Sequence, residues 1–164
     1  MSTLPPMVEL RVEELVAHLL PALVFGGLVG LNRDLHGKPT GLRTLSLVCM
    51  GSALIVHVGL KLGGANDGSA SRVLQGIITG IGFLGAGVIL RPSASDERRE
   101  VRGLTTAACV WIVACLGAAC GAGLVVEAMV TTLLVLVVLA GGGWVERKVE
   151  RLFKHGRDEP PSAA

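Results

Sequence analysis

Uncharged stretches of membrane length dominate the chain. With histidine treated as neutral, five runs of 17 to 24 residues contain no Asp, Glu, Lys or Arg. A helix that spans a bilayer needs about 20 mostly apolar residues, within a range of about 17–25. The pattern therefore predicts an all-α membrane bundle of five transmembrane helices, over residues 15–32, 44–60, 73–90, 103–126 and 128–145.

The last two runs are separated only by Glu127, yet together they are far too long for one span. They predict two helices joined by a turn at Gly121-Ala122-Gly123, where glycine relaxes the backbone. Transmembrane strands are not expected, because they are about 10 residues long and alternate polar with apolar positions.

Composition supports this class. Hydrophobic residues make up 51% of the 164 residues and charged residues 17%, against roughly 25% charged in soluble domains. So short a soluble chain could not hide that much apolar surface, and a disordered chain would be more polar. A net charge of +2 gives no reason to expect nucleic acid as a partner. No Ser-His-Asp or Cys-His arrangement stands out, so an enzyme is not expected.

Basic residues are distributed unequally between the connections. Twelve of the 15 Lys and Arg residues fall on the side that holds the C-terminus. The positive-inside rule then places the N-terminus outside and the C-terminus in the cytoplasm. We expect an external N-terminal segment (1–14), a transmembrane domain (15–144) and a short basic cytoplasmic tail (145–164), which suits an amphipathic helix. The acidic start does not resemble a secretory signal.

The first four helices read as a duplicated hairpin. Phe25-x-Gly27 precedes Arg33 by the same spacing that separates Phe83-x-Gly85 from Arg91. Gly41-Leu42-x-Thr44 and Gly103-Leu104-x-Thr106 follow in turn. Helices 1 and 2 would be a parallel copy of helices 3 and 4, an arrangement found in transporters. The alternative is that short apolar segments resemble one another by composition alone.

Glycine is concentrated in the third run. Gly80-x-Gly82-x-x-Gly85 matches the dinucleotide-binding fingerprint, but it lies inside a membrane-length run rather than after a soluble strand. Helix packing through Gly-x-x-x-Gly pairs explains it better. Such pairs occur in three helices, and helix 3 is expected at the centre of the bundle. They make a homo-oligomer plausible. The pairs are Gly26/Gly30, Gly76/Gly80 and Gly117/Gly121.

Polar residues inside membrane spans are functional candidates. His18, His57, Gln75 and Glu127 all fall toward the predicted outer leaflet, near Asp67 in an outer loop. Because Mg²⁺ prefers oxygen ligands, Glu127 and Asp67 are its candidate ligands there. The alternative is that all of these residues reach interfacial water. No other cofactor is expected, and the four cysteines read as small apolar fillers.

The predicted cytoplasmic rim is rich in arginine. Arg33, Arg43, Arg91 and Arg102 each lie at a helix end. They either signal topology and contact lipid headgroups or form a ring that binds an anion or a partner protein. Asp34 is a candidate counter-charge for this ring.

Three segments resemble the MgtC/SapB family of bacterial inner-membrane proteins. They are Gly41-Leu42-Arg43-Thr44, Thr79-Gly-Ile-Gly-Phe-Leu-Gly-Ala-Gly-Val88 and Val101-Arg-Gly-Leu-Thr-Thr-Ala-Ala108. The resemblance extends from about Leu15 to Trp144 in the family's order and spacing. It implies five transmembrane helices within the lipid bilayer and a role in magnesium limitation. Positions that match the family's marked residues are Arg33, Gly41, Arg43, Thr44, Arg72, Gly80, Gly82, Gly85, Arg102, Gly103, Thr105 and Thr106.

Two departures from the family pattern affect the functional expectation. Asn32 stands where members often carry Glu, which weakens a mechanism that needs an acid there. Many members also carry a C-terminal cytoplasmic domain, which is not expected in this chain. The resemblance implies either a magnesium transport-associated protein or a regulator of another membrane complex such as the ATP synthase. A lipid- or acid-stress factor without ion specificity is a third, weaker hypothesis.

Overall fold

The computed structural model describes residues 12–63, 68–89 and 103–155, with side chains described as far as residue 142. Within these ranges the chain forms five α-helices and no strand. Each helix contains a segment long and apolar enough to cross a membrane. The prediction of an all-α bundle with five spans is therefore confirmed. The helices are α1 (Val12–Leu35), α2 (Leu42–Gly63), α3 (Ser69–Ile89), α4 (Leu104–Gly121) and α5 (Val125–His155).

The turn between α4 and α5 forms where the glycines predicted it. The Leu124 N–H donates to the Ala119 carbonyl at 2.9 Å, and the Gly123 N–H donates to Cys120 at 3.0 Å. Gly123 has φ of 82°, a left-handed conformation that glycine adopts without steric penalty. This pair of bonds is the Schellman arrangement, which satisfies carbonyls at the end of α4 and reverses the chain.

Helix α4 occupies the centre of the bundle. It packs against each of the other four helices, and 56% of its spanning segment is buried, against 6% for α3. The expectation that helix 3 lies at the centre is wrong. Helix α3 packs against α2 and α4 along one side, and Ile81 is its one buried residue.

Glycine pairs in α1 and α4 explain this arrangement. A Cβ at Gly26 would meet the Cys49 Cβ at 2.6 Å, so α1 lies directly against α2. A Cβ at Gly117 or Gly121 would collide with the backbone of Cys49 or Ala53, so α4 also lies directly against α2. These close contacts replace the hydrophobic drive that lipid cannot supply. By contrast, a Cβ at Gly76 or Gly80 of α3 would meet nothing within 4 Å.

The two predicted repeats share one close contact, between the end of the first helix and the start of the second. A Cβ at Gly30, three residues before Arg33, would meet the Leu42 backbone at the start of α2. Val88 holds the equivalent position in the second repeat, and its carbonyl lies 3.0 Å from a Cβ built on Gly103 at the start of α4. In each hairpin, the residue three positions before the arginine of the first helix therefore lies against the start of the second helix.

Helix α5 is longer than the bilayer requires. Its 31 residues extend about 46 Å at 1.5 Å per residue, whereas the hydrocarbon core is about 30 Å thick. The apolar span covers Val125–Gly142, and the helix continues to His155. The basic tail, which was predicted to suit an amphipathic helix, thus continues α5 as far as His155.

Candidate functional site

Most of the candidate residues lie at one end of the bundle, where α1 and α3 end and α2 and α4 begin. We call this the arginine end. Arg33 and Asp34 lie in the last turn of α1, and the turn after them leads through Gly41 into α2. Gly103 precedes α4, and Thr106 lies in its first turn.

Arg33 is the centre of this end, because its buried guanidinium joins three segments of chain. The residue is only 4% exposed. Its Nε and Nη2 donate to the Pro39 carbonyl at 3.3 and 2.9 Å, which fixes the α1–α2 turn. Nη2 also donates to Thr106 Oγ1 at 2.5 Å, and Nη1 lies 3.7 Å from Cys109 Sγ, both on α4. One side chain of α1 thereby anchors both the turn and α4.

All of these acceptors are neutral. The ion pair between Glu14 and Lys61 lies at the opposite end of the bundle. A buried charge is costly unless its hydrogen bonds are satisfied. Arg33 meets that condition with a carbonyl, a hydroxyl and a thiol. Among the described residues, the charge of Arg33 is therefore held by neutral acceptors and not by a carboxylate.

Asp34 caps the next helix. Its Oδ2 accepts the Leu42 N–H at 2.9 Å, at the start of α2. The carboxylate lies directly over Gly41, where a Cβ would overlap its oxygens. Within residues 12–63, 68–89 and 103–142, Asp34 forms no ion pair with an arginine. Its observed role is that of a helix cap, for which aspartate is well suited.

The other family positions at this end differ in exposure. Arg43, Thr44 and Thr105 are exposed, whereas Thr106 is 3% exposed and holds Arg33. Gly103 has φ of 94° and packs closely on Val88, so glycine is favoured there for both conformation and space. Arg102 and Arg91 fall outside the described residues.

The opposite end of the bundle carries a second polar group. Glu14 Oε2 and Lys61 Nζ form an ion pair at 2.7 Å between α1 and α2. The His18 and His57 rings lie one helical turn deeper, with centroids 4.6 Å apart. His57 is buried, and His18 Nδ1 lies 2.7 Å from the Glu14 carbonyl oxygen. Two of the predicted outer polar residues therefore meet.

The predicted metal ligands are not part of that group in the described structure. Glu127 is exposed in the first turn of α5, and Gln75 is exposed on α3. Asp67 lies outside the described residues. Among the residues that are described, no three His, Cys, Asp or Glu side chains are grouped closely enough to hold a metal ion. Magnesium binding by Glu127 and Asp67 stays a prediction.

The remaining candidates lie on or near α3. Arg72 is exposed in its first turn, close to Gly68. Gly80 and Gly82 are exposed with open space around them, and a Cβ at Gly85 would meet Ala107 of α4 at an ordinary 3.7 Å. The glycine motif of α3 thus lies mostly on the outer surface of the bundle.

Sequence reasoning did not find the partners of these residues. Pro39 and Cys109 were not candidates, yet the Pro39 carbonyl and the Cys109 sulfur both accept from the Arg33 guanidinium. The Glu14–Lys61 pair was also missed, although opposite charges at facing ends of consecutive helices are a usable signal. The four cysteines are free, and three of them are buried, as expected for small apolar fillers.

Comparison with known proteins identifies relatives over most of the chain. The model of the MgtC family matches residues 19–148. Protein SrpB of Synechococcus elongatus is 41% identical over 159 residues, covering 88% of this chain and 87% of that protein. Protein MgtC of Brucella abortus is 43% identical over 124 residues, and protein MgtC of Salmonella typhimurium is 39% identical over 121 residues.

The coverage of these relatives differs. The matched regions represent 76% and 74% of this chain, but only 49% of the Brucella and Salmonella proteins. The chain therefore spans about half the length of those two relatives, but most of SrpB. No solved structure matches it.

Proposed function

This chain belongs to the MgtC family, and we propose that it is a multi-pass inner-membrane regulator linked to magnesium homeostasis that acts on another membrane protein complex. The magnesium link rests on the family resemblance. The proposed orientation, with the N-terminus outside and the C-terminus in the cytoplasm, rests on the distribution of Lys and Arg.

One observation favours regulation over ion conduction: the charge and chemistry of the packed interior. The buried polar side chains of the described helices are one arginine, one histidine and four hydroxyl groups. Mg²⁺ is bound through oxygen ligands that usually include carboxylates, and it gives up its water reluctantly. A path through this interior would offer the ion no carboxylate and would bring it near the buried charge of Arg33.

The exposed face of α3 offers a surface for a protein partner. Gly76, Gly80 and Gly87, which share one side of α3, have no neighbouring atom within 4 Å of a built Cβ, although comparable pairs in α1 and α4 are in tight contact. Small residues let the backbones of two membrane helices approach closely. We place the contact with a partner helix on this face.

Two α3 variants test the proposed contact. Gly80→Ile fills the exposed face with a branched side chain, and Ile78→Leu is the matched conservative change at an exposed position of the same helix. Membranes are solubilised in mild detergent, and proteins that co-purify with each tagged variant are identified by mass spectrometry. We expect a membrane partner that is lost with Gly80→Ile and retained with Ile78→Leu. A clean complex of this chain with itself, unchanged in both variants, would refute regulation through this face.

Magnesium transport is the second candidate, and the repeat predicted from the sequences of α1–α2 and α3–α4 favours it. Transporters with internal repeats often bind their substrate at the repeat interface. This candidate predicts that Glu127→Gln or Asp67→Asn abolishes cation movement. Unchanged flux in both variants would remove these two carboxylates from any transport mechanism.

A further inference from the structure

A cavity opens on the outer surface of the bundle between α1 and α2. Its volume is about 640 Å³, within the range of about 300–1,000 Å³ that is common for ligand sites. Gly27 and Ser46 lie at its base, where a Cβ built on Gly27 would be 3.3 Å from Ser46 Oγ, and leucine and valine side chains form the walls. The lining residues are Leu23, Val24, Gly27, Leu28, Leu31, Leu42, Arg43, Ser46 and Leu47.

The walls of this groove suit a flexible hydrocarbon chain. The lining residues of α1 extend from Leu23 to Leu31, about 12 Å along the helix at 1.5 Å per residue. A second helix would need small residues along the groove to approach closely. Gly27 and Ser46 are the only small residues in the lining, and both are buried. The leucines leave a slot that an acyl chain can follow.

A single cation marks one end of the groove. Arg43 lies in the first turn of α2, at the end of its apolar span. Its side chain is exposed, and it has no ion-pair partner in the part of the chain that the structure describes. The nearby carboxylate of Asp34 is instead bonded to the Leu42 N–H. Arg43 can therefore donate to an external anion at the level of the headgroups.

We propose that this groove is a binding site for one anionic phospholipid, with an acyl chain between α1 and α2 and the headgroup phosphate bound by Arg43. An arginine fork matches a phosphate group geometrically as well as electrically. The leucine walls supply contacts along the chain, and the cation supplies selectivity for a negative headgroup. The site does not depend on the function proposed above.

Lipid binding to the purified full chain measures how much the charge of Arg43 contributes to selectivity for an anionic headgroup. Native mass spectrometry in detergent follows the titration of phosphatidylglycerol and phosphatidylethanolamine with identical acyl chains. We expect one phosphatidylglycerol to bind in preference. Arg43→Gln lowers its affinity about fivefold, as expected for one basic contact near a headgroup, while Arg43→Lys retains most of the preference. Lys38→Gln removes an exposed cation in the adjacent turn but outside the groove, and leaves the affinity unchanged.

A different pair of variants tests whether the shape of the groove holds the acyl chain. Val24→Phe narrows the groove from its exposed side, and Val16→Phe makes the same change on the same helix outside it. Val24 and Val16 are similarly exposed, at 47% and 49%. We expect Val24→Phe to reduce phosphatidylglycerol binding at least as much as Arg43→Gln does, and Val16→Phe to leave it unchanged. Thermal unfolding identifies a misfolded variant, in which case Leu47→Phe takes the place of Val24→Phe.

Three results would overturn the proposal. Equal losses for Arg43→Gln and Lys38→Gln would mean that anionic lipid is attracted by the basic surface without a defined site. Displacement of the lipid by glycerol phosphate at a similar concentration would mean that Arg43 binds a free phosphate and that the acyl chain contributes nothing. A co-purified membrane protein, rather than a lipid, lost with Val24→Phe would make the groove a protein interface.

Discussion

The guanidinium of Arg33 donates to the hydroxyl of Thr106 across 73 residues of sequence. Both side chains are buried, and the bond joins the last turn of α1 to the first turn of α4. Because the same guanidinium also binds the Pro39 carbonyl, it fixes the α1–α2 turn against the central helix. A positive charge thus serves as an internal tie at one end of a membrane bundle.

Removing the Thr106 hydroxyl is expected to destabilise the bundle. Thr106→Val keeps the shape of the side chain but leaves a buried charged donor with one acceptor fewer, which costs about 1–3 kcal/mol. Thr105→Val is the matched control, because Thr105 is exposed on the same turn. Thermal unfolding in detergent, followed by circular dichroism, should show a lower Tm for Thr106→Val alone. Equal Tm values for the two variants would show that the hydroxyl does not hold Arg33.

Asp34 and Gly41 are expected to be energetically coupled. Asp34→Ala removes the cap of α2, at a cost of about 1 kcal/mol. Gly41→Ala places a methyl group where the Asp34 carboxylate lies, and so displaces the same cap. The double variant should therefore be less destabilised than the sum of the two single variants. Thermal unfolding of all four proteins measures this coupling, and simple additivity would contradict it.

Alanine should have opposite effects in two glycine pairs. Gly117→Ala brings a methyl group into the backbone of Cys49, so α4 must move away from α2 and stability falls. Gly80→Ala enters open space and gains helix propensity, by about 1 kcal/mol in a soluble helix. Gly117→Ala should therefore lower the Tm and Gly80→Ala should not. A Tm lowered by Gly80→Ala in the monomer would mean that α3 packs inward.

The sequence predicted where the helices lie along the chain better than it predicted which helices pack against one another. Uncharged runs located all five spans, since charges are costly in the bilayer core, and the Gly121–Gly123 turn was identified from its residues alone. The helix ends differ by several residues: α1 begins at Val12, three residues before the uncharged run, and has Glu13 and Glu14 in its first turn. A charged residue ends an uncharged run, but it does not end a helix.

The placement of α3 and the partners of Arg33 could not be predicted in the same way. A Gly-x-x-x-Gly pair indicates that a helix can approach another closely, but it does not say which helix. In α4 the pair packs on α2, whereas in α3 it faces outward. Likewise, Arg33 stood out as a charge at a helix end, but Thr106 becomes its partner only once α1 is known to pack against α4.

Magnesium flux tests the central claim, that this protein regulates and does not conduct, most directly. The purified full chain is reconstituted into proteoliposomes that contain a magnesium-sensitive dye, with Arg43→Ala and Glu127→Gln measured beside it. Folding and insertion are verified in each preparation by circular dichroism and protease accessibility. We predict flux no greater than in empty liposomes for all three proteins. Saturable flux in the unaltered protein, lost with Glu127→Gln, would contradict the account and establish transport.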